Sequence, residues 1–141
     1  MTLQNYRRRV VITGLGAVSP LGSNVEALWQ GCRQGRSGIR RITQFNAEGF
    51  PCQIAGEIPD FNAEDYIERK EARRLPRSAH IALAAAMQAV KDANLMPPFE
   101  DSERCGVVFG TAIGGVDRVE EGILTLRNEG LSKVNPFVLP T

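Results

Sequence analysis

The sequence predicts an α/β domain, in which buried strands alternate with helices. Two stretches carry this prediction, because each is a short apolar run that enters a glycine-containing turn and then a segment of helical periodicity. They begin at Arg9 and at Cys105. Between them, residues 78–94 have the pattern of one long amphipathic helix. Ligands of α/β proteins bind where a strand ends and a helix begins, so both turns are candidate sites.

Composition limits the classes of protein to which the chain can belong. It has 141 residues, 43% of them hydrophobic, which is enough for one domain with a core. The formal net charge of +1 argues against a general nucleic-acid binder. Three cysteines without a CxxC pair predict neither a disulfide framework nor a metal site, and they favour a reducing cytoplasm. No apolar run of about 18 residues is present, so no membrane span is expected.

The first strand is expected over Arg9–Thr13 and leads into the glycine-rich turn Gly14–Gly22. The turn starts like the dinucleotide fingerprint GxGxxG, but Ser19 replaces the third glycine, and no acidic residue ends a second strand about 20 residues on. A nucleotide-binding α/β domain is therefore the weaker alternative. A helix should follow, with Ser23 and Glu26 as its capping box. Its apolar face would consist of Val25, Leu28, Trp29 and Cys32.

Residues 39–60 are rich in glycine and proline, and a short strand is expected only near 53–55. Asn62 is a predicted helix cap, and the helix it starts leads into a run of charged residues. The basic cluster of this run consists of Lys70, Arg73, Arg74 and Arg77. Their three- and four-residue spacing predicts one shared helical face. That face is either a solvated surface or a docking site for an acidic partner.

The clearest helix is predicted over Ser78–Asn94. Its apolar stripe consists of Ala79, Ala82, Leu83, Ala86, Met87, Val90 and Ala93. So many alanines predict close packing against another backbone, since small side chains permit a near approach. His80, the only histidine, falls on another row with Ala84, Gln88 and Asp92. It is therefore predicted to be a surface residue and not a ligand or a base.

The second strand is expected over Val107–Phe109, buried on both faces, and it enters the glycine turn Gly110–Gly115. A helix is predicted over 116–129. The glycine spacing of the turn matches a P-loop, but Val116 and Asp117 occupy the lysine and Ser/Thr positions, which excludes phosphate binding of that kind. These residues alone do not decide between two interpretations of the turn. It is either a ligand site or a tight strand-to-helix connection that binds no ligand.

The last residues predict that the sequence is part of a longer chain. Asn135–Pro136 has the pattern of a cap and first position of a new element. Apolar residues follow it, and the sequence stops at Thr141 without a closing strand or polar tail.

Five motifs, taken in this order, make the sequence resemble the N-terminal part of the β-ketoacyl acyl-carrier-protein synthases, and most closely the type II elongating enzyme. The motifs are RRVVITGLGAVSPLG (8–22), QGRSGI (34–39), DFNAEDYIERKEARR (60–74), GTAIGG (110–115) and NPFVLPT (135–141). The resemblance implies the thiolase-like α/β fold, a five-layer α-β-α-β-α architecture. Residues 1–141 would supply the first part of its N-terminal half. One departure is Leu75-Pro76, where the family has Met-Asp.

The resemblance also implies an activity, the decarboxylative Claisen condensation of malonyl-carrier protein with an acyl-enzyme thioester in fatty acid elongation. This chemistry needs a cysteine nucleophile at the start of a buried helix and two histidines. None of Cys32, Cys52 and Cys105 has that setting. The catalytic residues are therefore expected beyond Thr141, and the chain alone is expected to be inactive. No cofactor or metal is implied.

By the same resemblance, residues of two segments would line the acyl-chain pocket, namely Ile113, Phe137 and Val138. The segment beginning at Pro136 would also lie at the interface of a homodimer. The residues that would meet the acidic acyl carrier protein are Lys70, Arg73 and Arg74. The expected partners are this carrier protein, acyl and malonyl thioesters and a second copy of the enzyme, in the cytoplasm, with no nucleic acid or membrane. A polyketide ketosynthase domain and a chain-length-factor relative remain alternatives.

Overall fold

The computed structural model describes residues 9–138. In this range the helices are α1 (Val25–Arg33), α2 (Arg69–Ala72), α3 (Arg77–Asp92) and α4 (Val116–Glu129). Short 3-10 helices cover Ala63–Asp65, Ser102–Arg104 and Leu131–Lys133, and the strands are β1 (Arg40–Arg41) and β2 (Ile54–Ala55). Across residues 9–138, no helix has the length and apolar character that a membrane crossing requires. The buried apolar residues are Ala47, Phe61, Ala72 and Ala84.

The predicted short strand near 53–55 is confirmed as β2, which pairs antiparallel with β1. Next to this pair, Glu57 closes the loop that follows β1. Its carboxylate accepts hydrogen bonds from the Thr43 hydroxyl at 2.7 Å, the Thr43 amide at 3.0 Å and the Gln44 amide at 3.0 Å. The bond from the Thr43 hydroxyl is the main cause that holds the pKa of Glu57 below its usual value of 4.5, because it favours the charged form.

The helix α1 is confirmed, but its predicted capping box is wrong. The N-cap is Asn24, whose side-chain oxygen accepts a hydrogen bond from the Ala27 amide at 2.8 Å. Glu26 does not reach back toward Ser23 but accepts a bond from the Gln30 side chain at 2.8 Å. Asparagine and serine cap helices about equally well, so residue preference does not choose between Ser23 and Asn24 as the N-cap. Asn24 is the N-cap because Val25 is the first helical residue.

The long helix α3 is confirmed, but the face by which it packs differs from the predicted one. Ala84 is fully buried. Asp92 accepts a hydrogen bond from the Leu15 amide at 2.9 Å, and Gln88 accepts one from the Ala17 amide at 3.3 Å. Ala84, Gln88 and Asp92 are four residues apart and therefore form one row of the helix. Two members of the row that the sequence assigned to solvent, Gln88 and Asp92, therefore bind residues 15 and 17.

The close backbone approach expected from the alanines is present, and it uses Ala93 of the predicted stripe together with Ala85 and Ala89, which lie outside that stripe. A Cβ atom added to Gly14 would overlap the carbonyl oxygen of Ala89, and one added to Gly16 would overlap that of Ala85. Glycine is required at both positions because nothing larger than hydrogen fits. The first glycine motif is thus a packing motif against α3. The amides of Leu15 and Ala17 are bound by α3 side chains and are therefore not available to a nucleotide phosphate.

Neither of the two predicted buried strands is present in the described residues. No strand is formed over 9–13 or over 107–109. Val10 is 90% exposed and Val108 is 97% exposed. A strand that is buried on both faces needs neighbouring strands for its hydrogen bonds, and residues 9–138 supply none to either segment. The helix α4, predicted from the same stretch, forms over its whole expected range.

Candidate functional site

The glycine turn Gly110–Gly115 is attached to the beginning of α3 and starts α4. Gly115 is the N-cap of α4 with φ of 80°, a left-handed conformation that favours glycine. A Cβ added to Gly114 would lie 2.6 Å from the Thr111 methyl carbon and 3.3 Å from the Ser78 hydroxyl oxygen. The turn therefore has little room for larger residues where it meets α3.

An open apolar groove with a volume of about 770 Å³ lies between α3 and the glycine turn. On one side it is lined by Ala79, Ala82, Leu83 and Ala86, and on the other by Val107, Phe109, Gly110 and Thr111. The predicted apolar stripe of α3 thus lines a groove. Its size is that of a site for an apolar ligand or segment.

The structure places the predicted acyl-pocket residues Ile113, Phe137 and Val138 at three different positions. Ile113 is 74% exposed and is not part of the groove wall. The Phe137 ring lies below the Arg74 guanidinium, with 5.0 Å between the guanidinium carbon and the ring centroid. Val138 packs on α4, where a Cβ added to Gly122 would lie 2.9 Å from a Val138 methyl carbon.

The predicted cap at Asn135 is confirmed as a turn, because its side-chain oxygen accepts a bond from the Phe137 amide at 2.9 Å. The rest of that predicted element, 139–141, lies outside the described residues.

The basic cluster does not form one helical face, so that prediction is wrong. The helix α2 ends at Ala72, and Arg77 begins α3, because Pro76 between them cannot continue a helix. The Arg77 guanidinium donates to the Ile58 carbonyl oxygen at 2.9 Å and lies 5.6 Å from the centroid of the Phe61 ring. Arg77 therefore holds the chain before α2 against the start of α3.

The three remaining cations of the cluster lie on the basic turn, which we define as residues 69–75. Arg74 forms an ion pair with Glu71 at 3.2 Å, in addition to its contact with Phe137. Lys70 and Arg73 are exposed, and neither has an ion-pair partner within 9–138. Lys70 and Arg73 thus present their charges to solvent, whereas Arg74 is engaged within the protein.

Arg118 of α4 belongs to this site although no sequence pattern indicates it. Its Nη2 atom donates to the carbonyl oxygens of Leu75 at 3.0 Å and Arg73 at 3.3 Å, and its Nη1 atom lies 3.1 Å from the Glu121 carboxylate. The side chain is only 23% exposed. The sequence gives one hint of this contact, which is Pro76. A proline there predicts that the carbonyl groups before it lack helical hydrogen-bond donors, but it does not predict that Arg118 is the residue that donates to them.

His80 also binds the basic turn, so its prediction as a surface residue is wrong. Its Nε2 atom lies 2.7 Å from the Ala72 carbonyl oxygen, and the residue is half-buried. With Nε2 protonated, the ring donates to a carbonyl at the end of α2. Side chains from α3 and α4 thus hold the turn that carries the exposed cations.

The three cysteines Cys32, Cys52 and Cys105 are exposed, and none lies at the first turn of any of the helices α1–α4. Trp29, which shares the predicted apolar face of α1 with Cys32, is exposed as well. Within 9–138, no three His, Cys, Asp or Glu residues lie close enough to hold a metal ion. What the described surface offers is a basic turn beside an apolar groove.

The family model described as "Beta-ketoacyl synthase, N-terminal domain" matches residues 7–141. The chain belongs to this family. A relative from Synechocystis sp., 3-oxoacyl-[acyl-carrier-protein] synthase 2, is 41% identical over 134 residues, covering 95% of this chain and 32% of the relative. A protein of the same name from Staphylococcus aureus is 42% identical over 136 residues, covering 96% of this chain and 33% of the relative. The chain thus spans about a third of the length of these relatives.

Solved structures of ketosynthases have the same fold. The ishigamide ketosynthase/chain length factor matches 94% of this chain and 33% of its own, with a TM-score of 0.76 and 34% identity. A β-ketoacyl synthase from Burkholderia phymatum matches with a TM-score of 0.72 and 28% identity, covering 94% of this chain and 33% of its own. The predicted fold class, the first part of a thiolase-like N-terminal half, is thereby confirmed.

A third solved structure is a type II polyketide synthase acyl-carrier protein in complex with its ketosynthase bound to the hexaketide. It matches 94% of this chain and 34% of its own, with a TM-score of 0.71 and 25% identity.

Proposed function

We propose that residues 1–141 form the N-terminal part of a 3-oxoacyl-acyl-carrier-protein synthase that elongates fatty acids. The observation that carries the proposal is the identity of 41–42% to two enzymes of that name, together with the family match over 7–141. In the proposed reaction, malonyl-carrier protein loses CO₂, and the resulting carbanion attacks the carbonyl of an acyl-cysteine thioester. A carbon–carbon bond forms and the cysteine thiolate leaves. The cysteine and the two assisting histidines belong to the rest of the enzyme, so this chain alone is inactive.

The basic turn is the proposed docking site for the acidic acyl carrier protein. Lys70 and Arg73 support it, because they are exposed cations without an ion-pair partner among residues 9–138. Charges of this kind steer association with a partner of opposite charge, and salt screens them. The solved complex of a ketosynthase with its carrier protein supports the same class of partner for this chain.

The acyl chain is proposed to lie beside the glycine turn, with Ile113, Phe137 and Val138 as its pocket residues. The exposed apolar side chain of Ile113 supports this, since an acyl chain would remove it from water. In the proposed homodimer, the segment beginning at Pro136 meets the second copy. The enzyme acts in the cytoplasm in this proposal and needs no metal or cofactor.

The docking proposal is tested by charge reversal in the full-length enzyme. Replacing Lys70 and Arg73 with Glu should lower kcat/KM for carrier-bound substrates roughly 5- to 150-fold, which corresponds to about 1–3 kcal/mol. Activity on a small acyl thioester should be retained, and added salt should narrow the difference between wild type and variant. Arg74 is left in place because it contacts Phe137, so its replacement would also disturb packing.

A comparison variant is Arg69→Glu, a single charge reversal within the basic turn. Arg69 lies on the same short helix but already forms an ion pair with Glu64 at 3.5 Å. The Arg69→Glu variant should lower kcat/KM for carrier-bound substrates less than the double reversal of Lys70 and Arg73 does. An equal loss on both kinds of substrate in the double variant would show that the basic turn is structural, and docking would be rejected.

A ketosynthase or chain length factor of a polyketide pathway is the second candidate. The TM-score of 0.76 with the ishigamide ketosynthase/chain length factor favours it. Incubation of the full-length protein with acyl and malonyl carrier protein separates the two. One condensation per primer supports the elongating synthase, and repeated malonyl addition without reduction supports the polyketide enzyme. Absence of any condensation supports a chain length factor.

A further inference from the structure

The basic turn cannot be held by helical hydrogen bonds alone. The helix α2 has only four residues, and Pro76 stops the chain from continuing it, because proline lacks an N–H group and disfavours a helical residue before it. Carbonyl groups at such an end need donors from elsewhere. In this structure the carbonyls of Ala72, Arg73 and Leu75 all accept hydrogen bonds from side chains of other helices.

Arg118 is the donor that reaches two of these carbonyls at once. Its Nη2 atom lies 3.0 Å from the Leu75 oxygen and 3.3 Å from the Arg73 oxygen. Both carbonyls bind this one nitrogen, and the rigid guanidinium plane fixes its position relative to Nη1, so both carbonyls are set relative to α4. Glu121, one turn further along α4, holds the same guanidinium from the other side at 3.1 Å.

Burial makes these contacts stronger than those of an exposed arginine. The Arg118 side chain is 23% exposed, and its Nε atom is buried without a partner in the described part of the chain. Hydrogen bonds of a partly buried charge are less weakened by water. The position of the guanidinium is therefore set by Glu121 and by the two carbonyls of the basic turn.

We infer that Arg118 is a positioning residue for carrier-protein docking. By binding the main chain of Arg73 and Leu75, it sets where the exposed cations Lys70 and Arg73 lie relative to α4 and to the glycine turn that begins it. His80 assists by binding the carbonyl of Ala72. The inference rests on the proposed docking function and adds a residue whose side chain need not touch the carrier protein.

The test compares three variants of the full-length enzyme. Arg118→Met removes the donors and the charge, Arg118→Lys keeps the charge without the fork, and Arg127→Met removes the same charge from an exposed position of α4. We measure kcat and KM with an acyl carrier protein substrate and with a small acyl thioester. Arg118→Met should raise KM for the carrier-bound substrate about tenfold with little change in kcat. KM for the small thioester should stay within about twofold in all three variants.

Arg118→Lys should fail to restore the wild-type KM, because a lysine side chain is one bond shorter and its single nitrogen cannot replace both Nη2, which binds the two carbonyls, and Nη1, which binds Glu121. The Arg118→Lys variant also allows the inference to be tested if Arg118→Met does not fold. A wild-type KM in Arg118→Lys would mean that only charge matters and would overturn the inference. An equal loss on both substrates in Arg118→Met would do the same, because it indicates a general structural role.

The failure of the inference can be told apart from the failure of the proposed function. If the Glu variants of Lys70 and Arg73 weaken use of the carrier-bound substrate while Arg118→Met behaves like Arg127→Met, only the positioning role is rejected. If the Lys70 and Arg73 variants also leave that substrate unaffected, docking at the basic turn is rejected and the positioning role with it.

Discussion

Replacing Gly16 with Ala should separate the segment 14–17 from α3. The added methyl group would overlap the Ala85 carbonyl oxygen and lie 2.8 Å from the Ala89 nitrogen. Both neighbours belong to the main chain of a helix and cannot rotate away as a side chain would. The segment itself must therefore shift.

The cost of this shift follows from what it breaks. Overpacking against rigid neighbours costs about 1–3 kcal/mol. The amides on either side of Gly16, those of Leu15 and Ala17, are bonded to Asp92 at 2.9 Å and to Gln88 at 3.3 Å. Losing such bonds costs about 0.5–1.5 kcal/mol each, and the lower end applies because water can replace the partner. We expect a total loss of about 2–4 kcal/mol in the free energy of unfolding.

Urea unfolding of the purified protein, followed by far-UV circular dichroism, measures this loss. With a slope of about 2 kcal/mol per molar urea, the midpoint should fall by about 1–2 M. The matched control is Gly106→Ala, because no atom lies within 4 Å of the Cβ it would add. It should leave the midpoint unchanged or raise it slightly. Equal midpoints for the two variants would refute the argument that Gly16 is required by packing on α3.

Two further predictions concern acid stability and chain length. The pKa of Glu57 is lowered in the folded state, so its contribution to stability is present above its unfolded value near 4.5 and is lost as the pH falls through the folded value. The urea midpoint of Glu57→Gln should therefore depend less on pH below about 5 than that of wild type, and parallel pH curves would contradict this. If the acyl chain lies beside Ile113, Ile113→Phe in the full-length enzyme should lower kcat/KM for long primers relative to short ones, by a factor that corresponds to about 1–3 kcal/mol of overpacking. Ile113→Ala should let longer primers react. An equal fall at every primer length would place the pocket elsewhere.

Several elements could be predicted from local patterns in the sequence. The helix over 116–129 forms over its whole predicted range, because its apolar spacing and the glycine before it depend only on neighbouring residues. The cap at Asn62 is likewise confirmed, with its side chain accepting a bond from the Glu64 amide at 3.1 Å, although the turn it caps is a 3-10 helix. Family membership was also readable from the ordered motifs.

The strands and the basic cluster could not be predicted in the same way. The apolar run at 107–109 has the composition of a buried strand, but a strand forms only where a neighbour supplies hydrogen bonds, and residues 9–138 supply none. The spacing of Lys70 and Arg77 suggests one helical face, but that spacing has meaning only within a continuous helix, and Pro76 interrupts it.

The sequence by itself determined where α3 and α4 form, which residue types surround the turns, and the family to which the chain belongs. Only the tertiary structure decided which face of α3 is packed, because an alanine-rich helix offers two usable faces and the glycines at 14 and 16 select one of them. It also decided that Arg118 holds the basic turn. That contact joins residues 43 and 45 positions apart in the sequence, and no local pattern encodes a distance of this kind.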